Sequence, residues 1–299
     1  MGHIIGACSI RLEIEGKVIN FSGDIGRYNV PILTDPQPVT LGDLLLIEST
    51  YGTSDHSSFD AEEALARIIN ETYARGGVLL IPSFAVGRTQ LLLYYIRDLK
   101  LKKKIPDLPV VIDSPMALDA TSIYKESPED YDEATLEILK KGREPFSCSK
   151  LAFVRSRSES IKLNSVDAPM VLISASGMLT GGRILHHLRH RVSDPRTTIL
   201  FVGFQPPGSR GAWIKSKPET VRVFGQELPM RAQVEEISSL SAHAGRSELL
   251  RWCKSCSGRP GKVAVVHGEQ AVAEAFRSTL EAELKWDAFV PAYLQEYEV

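Results

Sequence analysis

Four polar side chains stand at or just after the ends of short apolar runs. Asp24 ends KVINFSGD, Glu48 ends LLLIE, His243 lies in SLSAHAGR after EEI, and His267 ends KVAVVHG with Glu269 two residues on. A fifth group, His3, sits in a glycine-flanked loop, GHIIG. An apolar strand delivers the residue that ends it to a sheet edge, where loops are free to carry chemistry. Neutral imidazole and carboxylate are the donors that Zn²⁺ takes, at roughly 2.0–2.2 Å. A carboxylate such as Asp24 can bridge two ions, and an ion pair is a common device for phosphodiester hydrolysis. One histidine after a strand is more often a hydrogen-bonded loop residue, so the metal reading rests on all five groups converging.

A second group of residues has the chemistry of anion binding. In SASGMLTGGR, Ser174, Ser176, Gly177, Thr180, Gly181 and Gly182 lie between a strand and a helix, and Arg183 follows. Backbone N–H groups and hydroxyls in such a loop can cradle a phosphate at a helix N-terminus. FQPPGSRG offers Arg210 for a phosphate contact. Each loop alone reads as an ordinary turn. His186 and His190 in GGRILHHLRH have the i, i+4 spacing that can hold a metal, but no glutamate lies between them. The reading favoured for His186, His187 and His190 is substrate-facing or structural. Cys253 and Cys256 form a single CxxC without a second pair, which reads as two incidental thiols.

The elements that must position these groups follow from periodicity. Residues 9–21 alternate, with a turn at Glu15-Gly16, and predict a hairpin. LLLIEST, VLLIPSF, VVIDSP, PMVLISASG and TTILFVGF read as buried strands. SFDAEEALARIINETYARG reads as a helix with Ser58 as its N-cap, and GRTQLLLYYIRDLK and MALDATSIYKE as further helices. The acidic stretch from Ser127 to Lys141 reads as one more. Strands alternating with helices predict an α/β layered sheet. Towards the end, VRVF, MRAQVEEI and KVAVVHG read as short strands, with one helix, RSELLRWCK, before the third.

The chain has 299 residues, 43% of them hydrophobic, and a formal net charge of −2. That length supports a large core or two domains, and the charge supplies no global basic field for nucleic acid. No apolar run approaches the roughly 20 residues that would span a bilayer. Four cysteines make no disulfide framework, which points to a reducing cytoplasm. The KLKKK run near 100–104 reads as a solvated face.

Taken in order, these strings resemble the β-CASP branch of the metallo-β-lactamase superfamily, the RNA-processing nucleases that include ribonuclease J and the pre-mRNA cleavage-factor endonuclease. GHIIGA resembles the family's third metal motif, which makes His3 a zinc ligand, and FSGDIGR, 21 residues on, resembles the fourth, with Asp24 as the bridging carboxylate. ESTYG resembles motif A with Glu48 as its acid, SLSAHAGR motif B with His243, and VVHGE motif C with His267 as a zinc ligand. IPSFAVGRTQ, IDSPMA and ISASGMLTGGR are similar to signatures of the inserted β-CASP domain. A histidine at motif C is more like the RNA-acting members than the DNA-repair members.

The resemblance implies an α/β fold in which the C-terminal part of a metallo-β-lactamase αββα sandwich (1–53 and 241–299) carries an inserted β-CASP domain (54–240). It implies a zinc-dependent ribonuclease acting on single-stranded RNA, with Asp24, Glu48 and His243 catalytic, and His3, Asp24 and His267 on the metal. Ser174, Ser176, Gly177, Thr180, Gly182, Arg183 and Arg210 would face the RNA. The family's HxHxDH motif, which supplies two ligands to each of two zincs, occurs nowhere in the sequence. The expectations that follow are an absent first half of the sandwich, weak or absent zinc, little activity, and self-association through the exposed sandwich half. A non-catalytic RNA-binding or scaffold subunit is the alternative, and no membrane partner is expected.

Overall fold

The computed structural model describes residues 1–56 and 60–298. These form two compact units. Unit 1 is Met1–His56, Asp130–Asp132 and Ala242–Val299, and unit 2 is Ser57–Glu129 and Glu133–Ser241.

The chain begins in unit 1 with strands β1 (Ile10–Ile14), β2 (Lys17–Phe21) and β3 (Leu44–Glu48). Alternation makes β1 and β2 a hairpin in register Ile14↔Lys17. Glu15 and Gly16 close it with φ of 50° and 79°, the two positive-φ positions of a type I′ turn. In unit 2 follow α1 (Ala61–Ala74), β4 (Val78–Pro82), α2 (Arg88–Leu101), β5 (Val110–Asp113), α3 (Pro115–Glu126) and α4 (Glu133–Lys140). Next come β6 (Leu151–Phe153), α5 (Arg157–Leu163), β7 (Met170–Ser174), α6 (Ile184–Arg191), β8 (Thr198–Phe201), α7 (Arg210–Lys215) and β9–β11 (Thr220–Val223, Gln226–Pro229, Gln233–Glu236). Unit 1 closes with α8 (Arg246–Ser255), β12 (Lys262–Val266), α9 (Gln270–Leu284) and β13 (Ala288–Phe289).

Unit 1 is a five-stranded sheet in the order β1-β2-β3-β12-β13, parallel except for the hairpin. One face buries Leu45, Ile47, Val263 and Val265 against Leu249 and Trp252 of α8 and Phe276 and Leu280 of α9. At the free edge, β1 leaves Ile10, Leu12 and Ile14 exposed. Unit 2 is a six-stranded, wholly parallel sheet in the order β11-β8-β4-β7-β5-β6. Its central strands β4, β5, β7 and β8 are buried along their whole length, as parallel strands covered on both faces must be. In α2 the buried set runs round the helix, from Leu91 and Leu92 to Ile96 and Leu99 and including Gln90 and Arg97, so this helix lies inside the unit.

Three expectations are corrected. The N-cap expected at Ser58 lies outside the described residues; Asp60 caps α1, its Oδ1 accepting from the N–H of Glu62 and Glu63. The stretch 127–141 is not one helix. A 3₁₀ turn over Pro128–Asp130 precedes α4, and between them the buried Tyr131 bridges to Leu33 while Thr34 N donates to Asp130 O at 3.1 Å. Pairing with 32–34 draws 130–132 into unit 1 and breaks the run in two. In the KLKKK run, Lys100 is not solvated: its Nζ donates to Leu108 O at 2.7 Å and Ser149 O at 2.5 Å.

Candidate metal centre and its acid–histidine pair

Three neighbouring parallel strands of unit 1 end side by side, β2, β3 and β12, and each delivers one polar group at its carboxyl end. Asp24 follows β2, Glu48 is the last residue of β3, and His267 follows β12. His267 takes a φ of 52°, an unfavourable left-handed conformation for a residue with a Cβ, of the kind that clusters at functional sites. Thr50 Oγ1 donates to its carbonyl at 3.2 Å, and Ser49 Oγ to that of Val266 at 2.9 Å, so the turn is pinned from β3.

His3 and His243 come from loops stitched onto the Ile25–Gly26 segment. Gly26 N donates to Met1 O at 2.9 Å, and Gly26 also bridges to His243. Ala244 N donates to Ile25 O at 2.8 Å. Any Cβ on Gly26 would collide with the Gly2 carbonyl and the His3 nitrogen, so only glycine allows this approach.

The groups converge. His3 Nε2 lies 3.7 Å from Asp24 Oδ2, and His267 Nδ1 lies 3.3 Å from Asp24 Oδ1. The ring centroids of His3 and His243 are 4.3 Å apart, and those of His243 and His267 are 5.7 Å apart. Two overlapping donor sets result, His3–Asp24–His243 and Glu48–His243–His267, each with donor atoms within 4.8 Å of one another.

Electrostatics divide the cluster into two roles. Glu48 is buried, which pushes its carboxyl up, but contacts from His243, the Thr50 side chain and Ile25 N–H outweigh this and hold it below the usual range. Its Oε1 accepts from Ile25 N at 2.6 Å. Both its oxygens lie 3.2 Å from His243 Nδ1, and because an ionised carboxylate only accepts, Nδ1 is the donor. Burial first, then the neighbouring His243, push His3 down to about 4 against the opposing pull of Asp24 and Glu48. His3 is therefore neutral at neutral pH, the form that binds a metal. Its Nδ1 is buried and makes no hydrogen bond of normal geometry.

The segment after Glu48 holds the His243 loop in place. His56 Nε2 donates to His243 O at 2.8 Å and packs edge-on against Tyr51. Asp55 accepts from Ser247 N and Oγ at 2.8 and 2.7 Å. Sequence reasoning passed over Asp55 and His56 as supports. The one available signal was the polar run TSDH immediately after ESTYG.

In unit 2 the anion-binding candidates surround the carboxyl end of β7. Ser176 Oγ accepts from Thr180 N at 3.1 Å and Gly181 N at 3.3 Å, and Gly182 turns with a φ of 80°. Gly177 lies against Phe84. Ser174 is buried, its Oγ donating to Asp113 O at 2.9 Å. Arg183 donates to Asp113 Oδ1 at 2.7 Å and Arg155 O at 2.6 Å, and Arg210 to Leu179 O at 2.6 Å. Ser176 and Thr180 thus shape the loop, while Ser174 and both arginines are engaged with protein acceptors. In α6, His187 is fully buried between Asp113 and Asn164, and His186 packs against Phe224. All four cysteines, Cys253 and Cys256 included, are free thiols.

Comparison with known proteins places the chain in a family. Residues 89–214 match the Beta-Casp domain, and residues 227–291 match the Zn-dependent metallo-hydrolase RNA specificity domain. A ribonuclease of Thermus thermophilus is 39% identical over 90% of this chain and 61% of its own length. Transcription termination factor FttA of Methanocaldococcus jannaschii is 32% identical over 100% of this chain and 49% of its own. An RNase J-like protein of the same organism is 32% identical over 97% of this chain and 67% of its own. The chain therefore spans about half to two thirds of the length of these relatives. With those matches and an α/β fold of parallel sheets, the chain belongs to the β-CASP family of metallo-β-lactamase-fold RNA-processing nucleases.

Proposed function

We propose that this chain carries the acid–histidine pair and part of the metal site of a zinc-dependent ribonuclease acting on single-stranded RNA. The observation that carries the reading is the convergence of His3, Asp24, Glu48, His243 and His267 at three parallel strand ends. The donors suit zinc: imidazoles and a carboxylate, with His3 neutral and its Nδ1 lacking a normal hydrogen bond. When bound, zinc supplies a hydroxide nucleophile near neutral pH and a Lewis acid for the phosphate. His3, Asp24 and His267 would hold it. Glu48 fixes the His243 ring through Nδ1–H and would stabilise its doubly protonated form, which would give its Nε2 proton to the departing oxygen and return to the neutral ring.

Three ligands are fewer than two closed zinc shells require, and His243 is already tied to Glu48. We infer that the chain alone holds zinc loosely and cleaves slowly. A non-catalytic RNA-binding or scaffold role is the second reading, and the same short ligand list favours it. Self-association would run through the exposed β1 edge, where Ile10, Leu12 and Ile14 face solvent. Among the described residues no helix is long and apolar enough to cross a membrane, and the four free thiols accord with a cytoplasmic setting.

The test is cleavage of end-labelled single-stranded RNA at saturating zinc, with Asp24→Asn and His243→Ala as controls. Slow cleavage lost in both variants supports the ribonuclease reading. RNA binding without cleavage favours the scaffold reading, and equal cleavage by Asp24→Asn would overturn the metal assignment.

A further inference from the structure

Three central strands of unit 2, β8, β4 and β7, also end side by side, at the sheet edge where ligands of parallel α/β sheets bind. Two phenylalanines stand just past those ends and are not folded into the core. Phe84, after β4, is 46% exposed, and Phe204, after β8, is 42% exposed. β4 and β8 are neighbours in the sheet, in register Leu80↔Ile199 and about 4.8 Å apart, so the two segments leave the sheet from adjacent strands.

The mount of Phe84 is rigid. Its carbonyl accepts from Thr89 Oγ1 at 2.7 Å and Ser83 Oγ at 3.1 Å. One edge of its ring rests on Gly177: a Cβ there would lie 3.2–3.3 Å from two ring carbons, so the bare glycine lets the loop after β7 support the ring. The carbonyl of Gly177 accepts from Gln205 Nε2 at 3.0 Å, the residue next to Phe204. Buried Arg88 donates to Val202 O at 2.5 Å and ties the start of α2 to the end of β8. Single exposed apolar residues need no explanation. A half-exposed phenyl ring on a stiff strand-end mount, with a second half-exposed ring just past the end of the neighbouring strand and the Ser176–Thr180 loop beside it, does.

We propose that Phe84 and Phe204 form a stacking platform for the bases of single-stranded RNA. The proposal rests on the ribonuclease reading and adds to it a base-contacting surface. Every base has a π-face, so the platform is indifferent to sequence.

The experiment measures binding of fluorescently labelled ten-nucleotide oligo(U) and oligo(A) RNA to the full chain by anisotropy, in EDTA so that metal plays no part. Stacking on an aromatic side chain predicts that Phe84→Ala weakens both RNAs by about 5- to 100-fold. Phe84→Trp should stay within about threefold of the parent. Phe204→Ala should fall in the same direction as Phe84→Ala, and the dependence of affinity on salt should be unchanged in all three, because no phosphate contact is removed. Phe84→Ala binding as tightly as the parent overturns the platform, as does Phe84→Trp binding as weakly as Phe84→Ala. A shallower salt slope in Phe84→Ala also overturns it, because the loss would then be a phosphate contact. If the parent chain binds neither RNA, the ribonuclease reading falls with the platform; if only the platform is wrong, RNA binding survives in the alanine variants.

Discussion

Each unit sets an aspartate at the carboxyl end of a parallel strand against histidine, from loops and a strand end in unit 1 and from helix α6 in unit 2, and the two clusters are in opposite states. In unit 1, Asp24 is 41% exposed, its nearest partners are imidazoles at 3.3 and 3.7 Å, and His3 Nδ1 lacks a normal hydrogen bond. In unit 2, Asp113 and His187 are fully buried and every acceptor is used. Asp113 accepts from Arg183 at 2.7 Å, His187 at 2.6 Å and Ser160 at 2.5 Å, while the other ring nitrogen of His187 meets Asn164 Oδ1 at 2.8 Å. The same residue types therefore stand partly open to solvent in the candidate metal site and form a lock where every partner is filled and buried.

The largest effect expected from this contrast is on stability. Asp113→Ala leaves the buried His187 and the partly buried Arg183 without their shared anion, and breaking a buried pair in this way costs about 3–5 kcal/mol. Urea unfolding of the variant should show that loss; a change below about 1 kcal/mol would mean that the cluster is not a lock. Asp24→Asn and His3→Ala should do the reverse. Zinc affinity, measured against a chromophoric chelator, should fall at least tenfold, since even residues that only support a ligand contribute that much. Unfolding free energy should move by less than about 1 kcal/mol for Asp24, whose carboxylate is partly solvated.

Titration separates the lock from its surroundings with a definite sign. Burial raises the Asp113 carboxyl, but hydrogen bonds from His187, Ser160 and Arg183 outweigh this, so the folded pKa lies below the ordinary value. A depressed carboxylate contributes stability that is fully present above its unfolded pKa of about 3.9 and is lost as pH falls through the folded value. The stability gap between the parent and Asp113→Asn should hold constant from pH 7 down to about 5 and narrow below about 4. A gap that narrows between pH 6 and 7 would place the responsible group elsewhere.

The metal-side group was legible because its residues end strong apolar runs: Asp24, Glu48 and His267 each follow a strand that alternation or continuous hydrophobicity identifies. The lock was not legible. Asp113 also ends an apolar strand, but its partners come from α5 and α6, and a sequence does not state which helix packs over which strand end. Local signal also ran out for β6 and α5, three and seven residues long and without a clean period. For α9 the signal existed and went unread: Ala273, Phe276 and Leu280 fall at i, i+3 and i+7 on its buried face. Over residues 127–141 local helix preference was real, and pairing of 130–132 with a distant segment overrode it.

Ser174 gives the smallest effect and the sharpest division between the two kinds of residue in the anion-loop motif. Read from sequence it offers a hydroxyl to phosphate, whereas its Oγ is buried and donates to Asp113 O at 2.9 Å. Ser176 and Thr180, two and six positions on, keep their hydroxyls in the loop itself, 3.1 Å apart. Ser174→Ala removes one neutral hydrogen bond and leaves one carbonyl short of a donor, which costs about 1 kcal/mol in urea unfolding. Affinity for oligo(U) RNA should stay within about twofold, because no group that could reach a phosphate is lost. Weakened RNA binding with unchanged stability would move Ser174 from the lock to the ligand face. It would also show that filled hydrogen bonding is not enough to assign a strand-end residue to structure.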